Sequence, residues 1–195
     1  GHISTQTFSR VNPKQTARLE KIQSWDEVAE ITRATFQSYR HFDTSQTKKP
    51  PFYILRDVNG EIIASAKITI SRWEIRRFPG RMGGVFTKII PFIPRLNKIV
   101  NPKAHAFVVP EAVFVKDNNV QLLNDLFEGI LFHENKNLIL WWVDEKAPLY
   151  EQTQSKIKWG LLHKIIGVHK VNVVERSTLI DDSKTPFYTS GFDFI

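Results

Sequence analysis

The chain has 195 residues, 42% of them hydrophobic and 12% aromatic, which suits one domain with a real core and excludes an intrinsically disordered segment. It has no cysteine, so a disulfide framework, a thiolate zinc site and a cysteine nucleophile are excluded, and a reducing, cytoplasmic setting is expected. A formal net charge of +7 attracts phosphate, whether of a nucleotide cofactor, an anionic membrane or nucleic acid. The longest wholly apolar run, residues 138–143, is far shorter than the roughly 20 residues of a bilayer span.

Residues 1–14 are expected to form a leader, with Gly1-His2 a remnant of cloning, ahead of one domain over residues 15–195. Residues 15–22 alternate as a first strand. Ser24 and Glu27 have capping-box spacing, and Asp26 suits the positive end of a helix dipole. Val28, Ile31, Thr32, Thr35, Phe36 and Tyr39 then recur at helical spacing. Residues 41–51 are polar, end in proline and predict a loop. Residues 52–58 and 61–75 predict a hairpin around Asn59-Gly60, a pair suited to a type I′ turn. In its second arm Ala64, Ala66, Ile68 and Ile70 share one face, and Ser65, Lys67, Thr69 and Ser71 the other.

Residues 76–103 mix Pro79, Gly80, Pro91 and Pro94 with Phe86, Ile89, Phe92 and several cations. They predict an ordered insertion with short helices at most. It is a lid, an anionic-lipid surface, a nucleic-acid contact or a structural excursion; no recognised nucleic-acid motif supports the third. Residues 104–115 predict a strand, with Pro110 marking a bulge or an edge. Residues 118–134 predict an amphipathic helix capped by Asp117 or Asn118. Residues 138–143 predict a buried strand, residues 147–162 a helix opened by Pro148, and residues 169–176 and 187–195 two last strands. Trp141 and Trp142, adjacent on a strand, must point to opposite faces.

No histidine pair has His-Glu-x-x-His spacing, so no metal is expected. The chain has neither a Gly-x-x-x-x-Gly-Lys phosphate loop nor a Gly-x-Ser-x-Gly hydrolase elbow.

Strand, helix, hairpin, strand, helix, strand, helix, strand, strand is an order that resembles the GNAT superfamily of acyl-CoA N-acyltransferases. Local sequences carry the same resemblance. Leu19-Glu20-Lys21-Ile22 running into Trp25-Asp26-Glu27-Val28 is similar to the family's opening strand and helix, and the Asn59-Gly60 hairpin to its second and third strands. Val113-Phe114-Val115, the break at Lys116 to Asn119, and the helix from Val120 are similar to the strand-to-helix step that holds acyl-CoA. Leu149-Tyr150-Glu151 is similar to the family's Leu-Tyr-Glu helix.

The resemblance implies a mixed, mostly antiparallel α/β sheet that opens between residues 113–115 and 138–142 to take acetyl-CoA or another acyl-CoA. Val113, Val115, Lys116, Asn118, Asn119, Val120 and Gln121 would surround the cofactor, whose pyrophosphate would meet backbone N–H groups at a helix start. Tyr150 would protonate the departing thiolate, and Glu111, Asp144 or Glu145 would accept the proton of an amine of unknown identity. The family's phosphate loop carries glycines. Here Lys116-Asp117-Asn118-Asn119-Val120-Gln121 has none, and Asp117 adds a negative charge. The other implied reading is therefore a non-catalytic GNAT-like module that has lost the cofactor loop and serves as the partner of an N-terminal GNAT half.

Overall fold

The computed structural model describes residues 2–76, 83–102, 105–172 and 184–190. In chain order the elements are β1 (His2–Ser9), β2 (Leu19–Ile22), α1 (Asp26–Phe36), the single turn α2 (Thr44–Thr47), β3 (Phe52–Arg56) and β4 (Ile62–Trp73). Then come α3 (Gly83–Ile89), a 3-10 turn at Ile90–Phe92, α4 (Pro94–Ile99) and β5 (His105–Val115). A second 3-10 turn at Lys116–Asn118 leads to α5 (Val120–His133), β6 (Leu138–Asp144), α6 (Pro148–Lys156), α7 (Leu161–Ile166) and β7 (His169–Asn172). The strands make one open sheet, ordered β2-β3-β4-β5-β6-β1-β7. Every junction is antiparallel except β5–β6.

The alternation in β4 sorts its residues as the sequence predicts. Ala64, Ala66 and Ile68 join a core with Tyr53, Leu55, Phe8, Ile139 and Trp141, covered by Leu123, Leu126, Phe127, Ile130 and Leu131 of α5. On the other face Val28 of α1 packs on Phe52 and Ile54. Phe107, Val109, Trp142 and Ile3 pack there with Ile99, Val100 and Phe187. Trp141 and Trp142 therefore do serve opposite faces.

In β5 the inward parity changes midway. Val108 faces the α5 core, and so do Val113 and Val115, an odd number of residues later. The register against β4 shifts by one residue between Ser65 and Lys67. Ala112 takes up the extra residue with a left-handed φ of 48°. The bulge thus lies two residues beyond Pro110. Pro110 itself pairs with Ile68, whose N–H turns to Pro51 on the β3 side. In that antiparallel register Pro110 directs its missing donor towards β6, where no ladder needs it.

Several sequence expectations need correction. Residues 2–9 are not a leader: they form β1, paired with β6 and β7. Only Leu19–Ile22 of the expected strand 15–22 is extended. At α1 the flanking residue is Trp25 and no side chain caps the helix, so the Ser24–Glu27 box does not form. In the hairpin turn only Gly60 has positive φ; Asp57 Oδ1 accepts the amides of Asn59 and Glu61, each at 2.9 Å, and draws the chain into an Asx-type turn instead of type I′. The cap of α5 is Asn119, not Asp117 or Asn118.

The helix expected over 147–162 is split into α6 and α7 at Gly160 (φ 108°), where a Cβ would collide with the backbone of Ser9. The loop 41–51 carries α2. Of the two last strands, β7 covers His169–Asn172, and residues 187–190 form only an isolated bridge from Phe187 to Arg40. Residues 173–176 and 191–195 lie outside the described residues, as do 77–82 and 103–104 of the insertion.

Candidate active site

The parallel junction of β5 and β6 is held by one register pair, Val108 with Ile139. Beyond it the strands part. The bulge at Ala112 turns β5 aside, and the missing N–H of Pro110 lets the ladder stop without orphaning a donor. A small cavity of about 40 Å³ lies in the gap, lined by Tyr39, Glu111, Val113, Trp141, Trp142 and Asp144, among others. Two expected site carboxylates, Glu111 and Asp144, thus share one cavity. Both are buried, unlike most carboxylates, which stay at the surface.

The cavity has a cover made by the chain itself. The amide of Phe187 donates to Asp144 Oδ2 at 2.9 Å, Thr189 Oγ1 to the carbonyl of Trp142 at 2.9 Å, and Ser190 Oγ to Glu111 Oε1 at 3.2 Å. Arg40 lies over the Phe187 ring, 3.9 Å from its centroid, and His41 stacks on the same ring. Glu111 also forms a buried ion pair with Lys67 across β4 and β5. Asp144 Oδ1 accepts the amide of Lys146 at 2.7 Å. Burial first, and the negative charge of Asp144 second, push the Tyr39 phenol above its ordinary range, so it stays protonated near neutrality.

A larger groove of about 1470 Å³ opens at the start of α5. Asp117 (φ 56°) and Asn118 (φ 51°) both take the left-handed conformation before the helix. Residues 116–121 have no glycine and still make this bend, because Asp and Asn are the side chains best suited to it. Asn119 then accepts the amide of Gln121 at 2.9 Å, occupying one of the donors an anion would use. Asp117, Asn118, Asn119, Val120 and Gln121 all line the groove. Lys116 does not: its ammonium pairs with Glu61 at 3.2 Å, and that hydrogen bond and charge raise its pKa. Val113 lines the small cavity, and Val115 packs in the α5 core.

Opposite α5 the groove carries Arg10, Lys14, Lys156, Lys158, His163 and Lys164, against the acids Asp117 and Glu128. Arg10 is committed to the frame, bonding Glu128, Asn124 and the Lys158 carbonyl. The ammonium groups of Lys158 and Lys164 make no ion pair among the described residues. Trp159 and His163 stack in the wall, 5.3 Å between centroids, and burial lowers the His163 pKa.

Tyr150 is placed elsewhere. Its hydroxyl donates to Glu145 Oε1 at 3.2 Å and accepts from Ser4 Oγ at 3.2 Å, and Lys170 pairs with Glu145 at 2.7 Å. It lines neither cavity. The Lys170 and Ser4 bonds come first in holding the Glu145 carboxyl below its usual range.

Sequence reasoning did not find Tyr39 as a cavity residue, the cover 187–190, or the basic wall that includes Arg10, Lys158 and Lys164. Tyr39 was legible only as a helical apolar position. The wall joins two segments about 150 residues apart, which no local pattern reveals. Among the described residues no cluster of His, Asp or Glu could hold a metal ion. No protein-family model and no curated protein sequence matches the chain at a significant level.

Proposed function

We propose that the chain is an acyl-CoA-dependent N-acyltransferase-like domain, acting on an amine. The parting of β5 from β6 after one parallel pair carries this reading, because it comes with a basic groove on α5 and a carboxylate cavity in the gap. The donor set fits a phosphate-rich ligand. Lys158, Lys164 and Lys156 offer cations, and the start of α5 offers backbone N–H groups, opposed by Asp117 and by the Asn119 cap. Acyl-CoA would supply the activated thioester carbonyl. The residues of the chain would hold its phosphates in the groove, exclude water with Trp141 and Trp142, and take the proton of the amine on a carboxylate oxygen of Asp144 or Glu111.

A second reading, the non-catalytic GNAT-like module, is favoured by one observation. Glu111, Asp144 and Tyr150 all have their oxygens engaged, and residues 187–190 cover the cavity. Calorimetric titration with acetyl-CoA, followed by an amine panel with thiol release as readout, separates the two. Micromolar binding with turnover supports transfer. Binding without turnover keeps the groove as a cofactor site and overturns transfer. Absence of binding overturns the first reading and supports the second.

A further inference from the structure

Between β4 and β5 the chain leaves the sheet and returns. Its two arms stay paired as far as Trp73 with His105, and the Ile75 amide reaches the Pro102 carbonyl at 2.9 Å, so the excursion has a closed neck. Its returning end is anchored by Ile99 and Val100, buried against Phe107 and Leu138. The outer part is built differently. Val85, Ile89 and Phe92 follow at i, i+4 and i+7, the spacing of one helical face. That face is bare: Phe92 is 84% exposed, Ile89 45% and Val85 43%, with Ile93 at 38% beside them. A contiguous exposed apolar patch marks an interaction surface.

Charge identifies the occupant. Lys88, Arg95 and Lys98 are exposed on α3 and α4, and Arg72 and Arg76 are exposed at the neck. Over residues 72–102 the only acid is Glu74, 3.9 Å from Arg76. A second copy of this chain would set the same cations face to face. Nucleic acid would take the cations and leave Phe92, Ile89 and Val85 in water. An anionic bilayer takes both: its headgroups pair with Lys and Arg while Phe and Ile enter the acyl boundary.

We infer that the α3–α4 excursion is a peripheral docking element for an anionic membrane surface. No helix among the described residues is long and apolar enough to cross a membrane, so the attachment made by this element is shallow and reversible. It stands apart from the acyl-transfer reading, since none of its residues lines the groove or the small cavity.

The test is co-sedimentation of the intact chain with vesicles of phosphatidylcholine alone and of phosphatidylcholine mixed with phosphatidylglycerol. The expected result is binding to the anionic vesicles only, weakened by added salt. Ile89→Ser with Phe92→Ser, and separately Lys88→Glu with Arg95→Glu, should each reduce it by at least about fivefold. All four positions are exposed, and thermal melts check that the variants keep the fold. Equal binding to neutral vesicles, no binding to anionic ones, or anionic binding that ignores the Ile89 and Phe92 changes would overturn the inference. So would a concentration-dependent dimer abolished by Phe92→Ser, which would make a second copy the occupant.

Discussion

The groove beside α5 and the cavity between β5 and β6 handle charge in opposite ways. In the cavity, ionisable groups are buried and matched: Glu111 with Lys67, Asp144 with two backbone amides. In the groove, Lys158 and Lys164 face solvent and make no ion pair among the described residues. The difference separates a part held together by its charges from a part whose charges are left for something else. A buried ion pair is weak evidence for stability as a pair, yet losing one partner strands the other in a medium that cannot solvate it. A lone exposed lysine contributes little to stability and is available to a phosphate.

The largest effect is expected at the cavity. Lys67→Met should lower the unfolding free energy by about 3–5 kcal/mol, and Lys67→Met with Glu111→Leu should recover most of that loss. Urea melts of the two variants check it. Next is Gly160→Ala, where the added methyl meets the Ser9 backbone at an already left-handed φ; a loss of about 1–3 kcal/mol is expected from the same melts. In the groove, Lys158→Glu with Lys164→Glu should leave the melting curve nearly unchanged while weakening acetyl-CoA binding about tenfold, read by calorimetry. Thr189→Val removes one hydrogen bond from the cover and should lower stability by about 1 kcal/mol, loosening residues 187–190 in hydrogen exchange.

The smallest effect is on pH dependence. Burial lowers the pKa of His105, so the folded chain holds its imidazole neutral. The unfolded imidazole takes its proton first, near its ordinary value of about 6.5. Stability from this group is therefore full above that value and declines as pH falls below it. His105→Phe should flatten that decline in melts between neutral and mildly acidic pH.

How much of this was legible in the sequence depended on whether a pattern was local and apolar. The β3–β4 hairpin, α5 and β6 carry alternation, a helical stripe and a hydrophobic run, and the fold shows all three. β1 carries none. His-Ile-Ser-Thr-Gln-Thr-Phe-Ser has two aliphatic or aromatic residues in eight, yet Ser4, Gln6, Thr7 and Ser9 are all buried, because helices or loops cover both faces of the sheet at that point. The bend at Asp117 and Asn118 was hidden for another reason. Glycine is the usual signal of left-handed backbone, and Asp and Asn supply the same conformation without announcing it. Glu111 and Asp144 could be named as candidates but not placed, since the slit that joins them is a tertiary feature.

The position of β1 bears on how this chain acquires its sheet. β2 to β5 pair with their sequence neighbours and can zip up one after another. β6 meets β5 at one parallel pair and completes its pairing only with residues 2–9, more than 120 residues away in sequence, and β7 then docks on β1. Closing so long a loop is entropically slow and makes pairing at that end the late event of folding. Until it happens, the outer edge of β6 presents Leu138, Ile139 and Leu140 with unpaired amides, a surface on which β1 of a neighbouring chain can settle when chains are concentrated. Crowded, fast synthesis should therefore favour exchanged dimers, and dilute refolding the monomer.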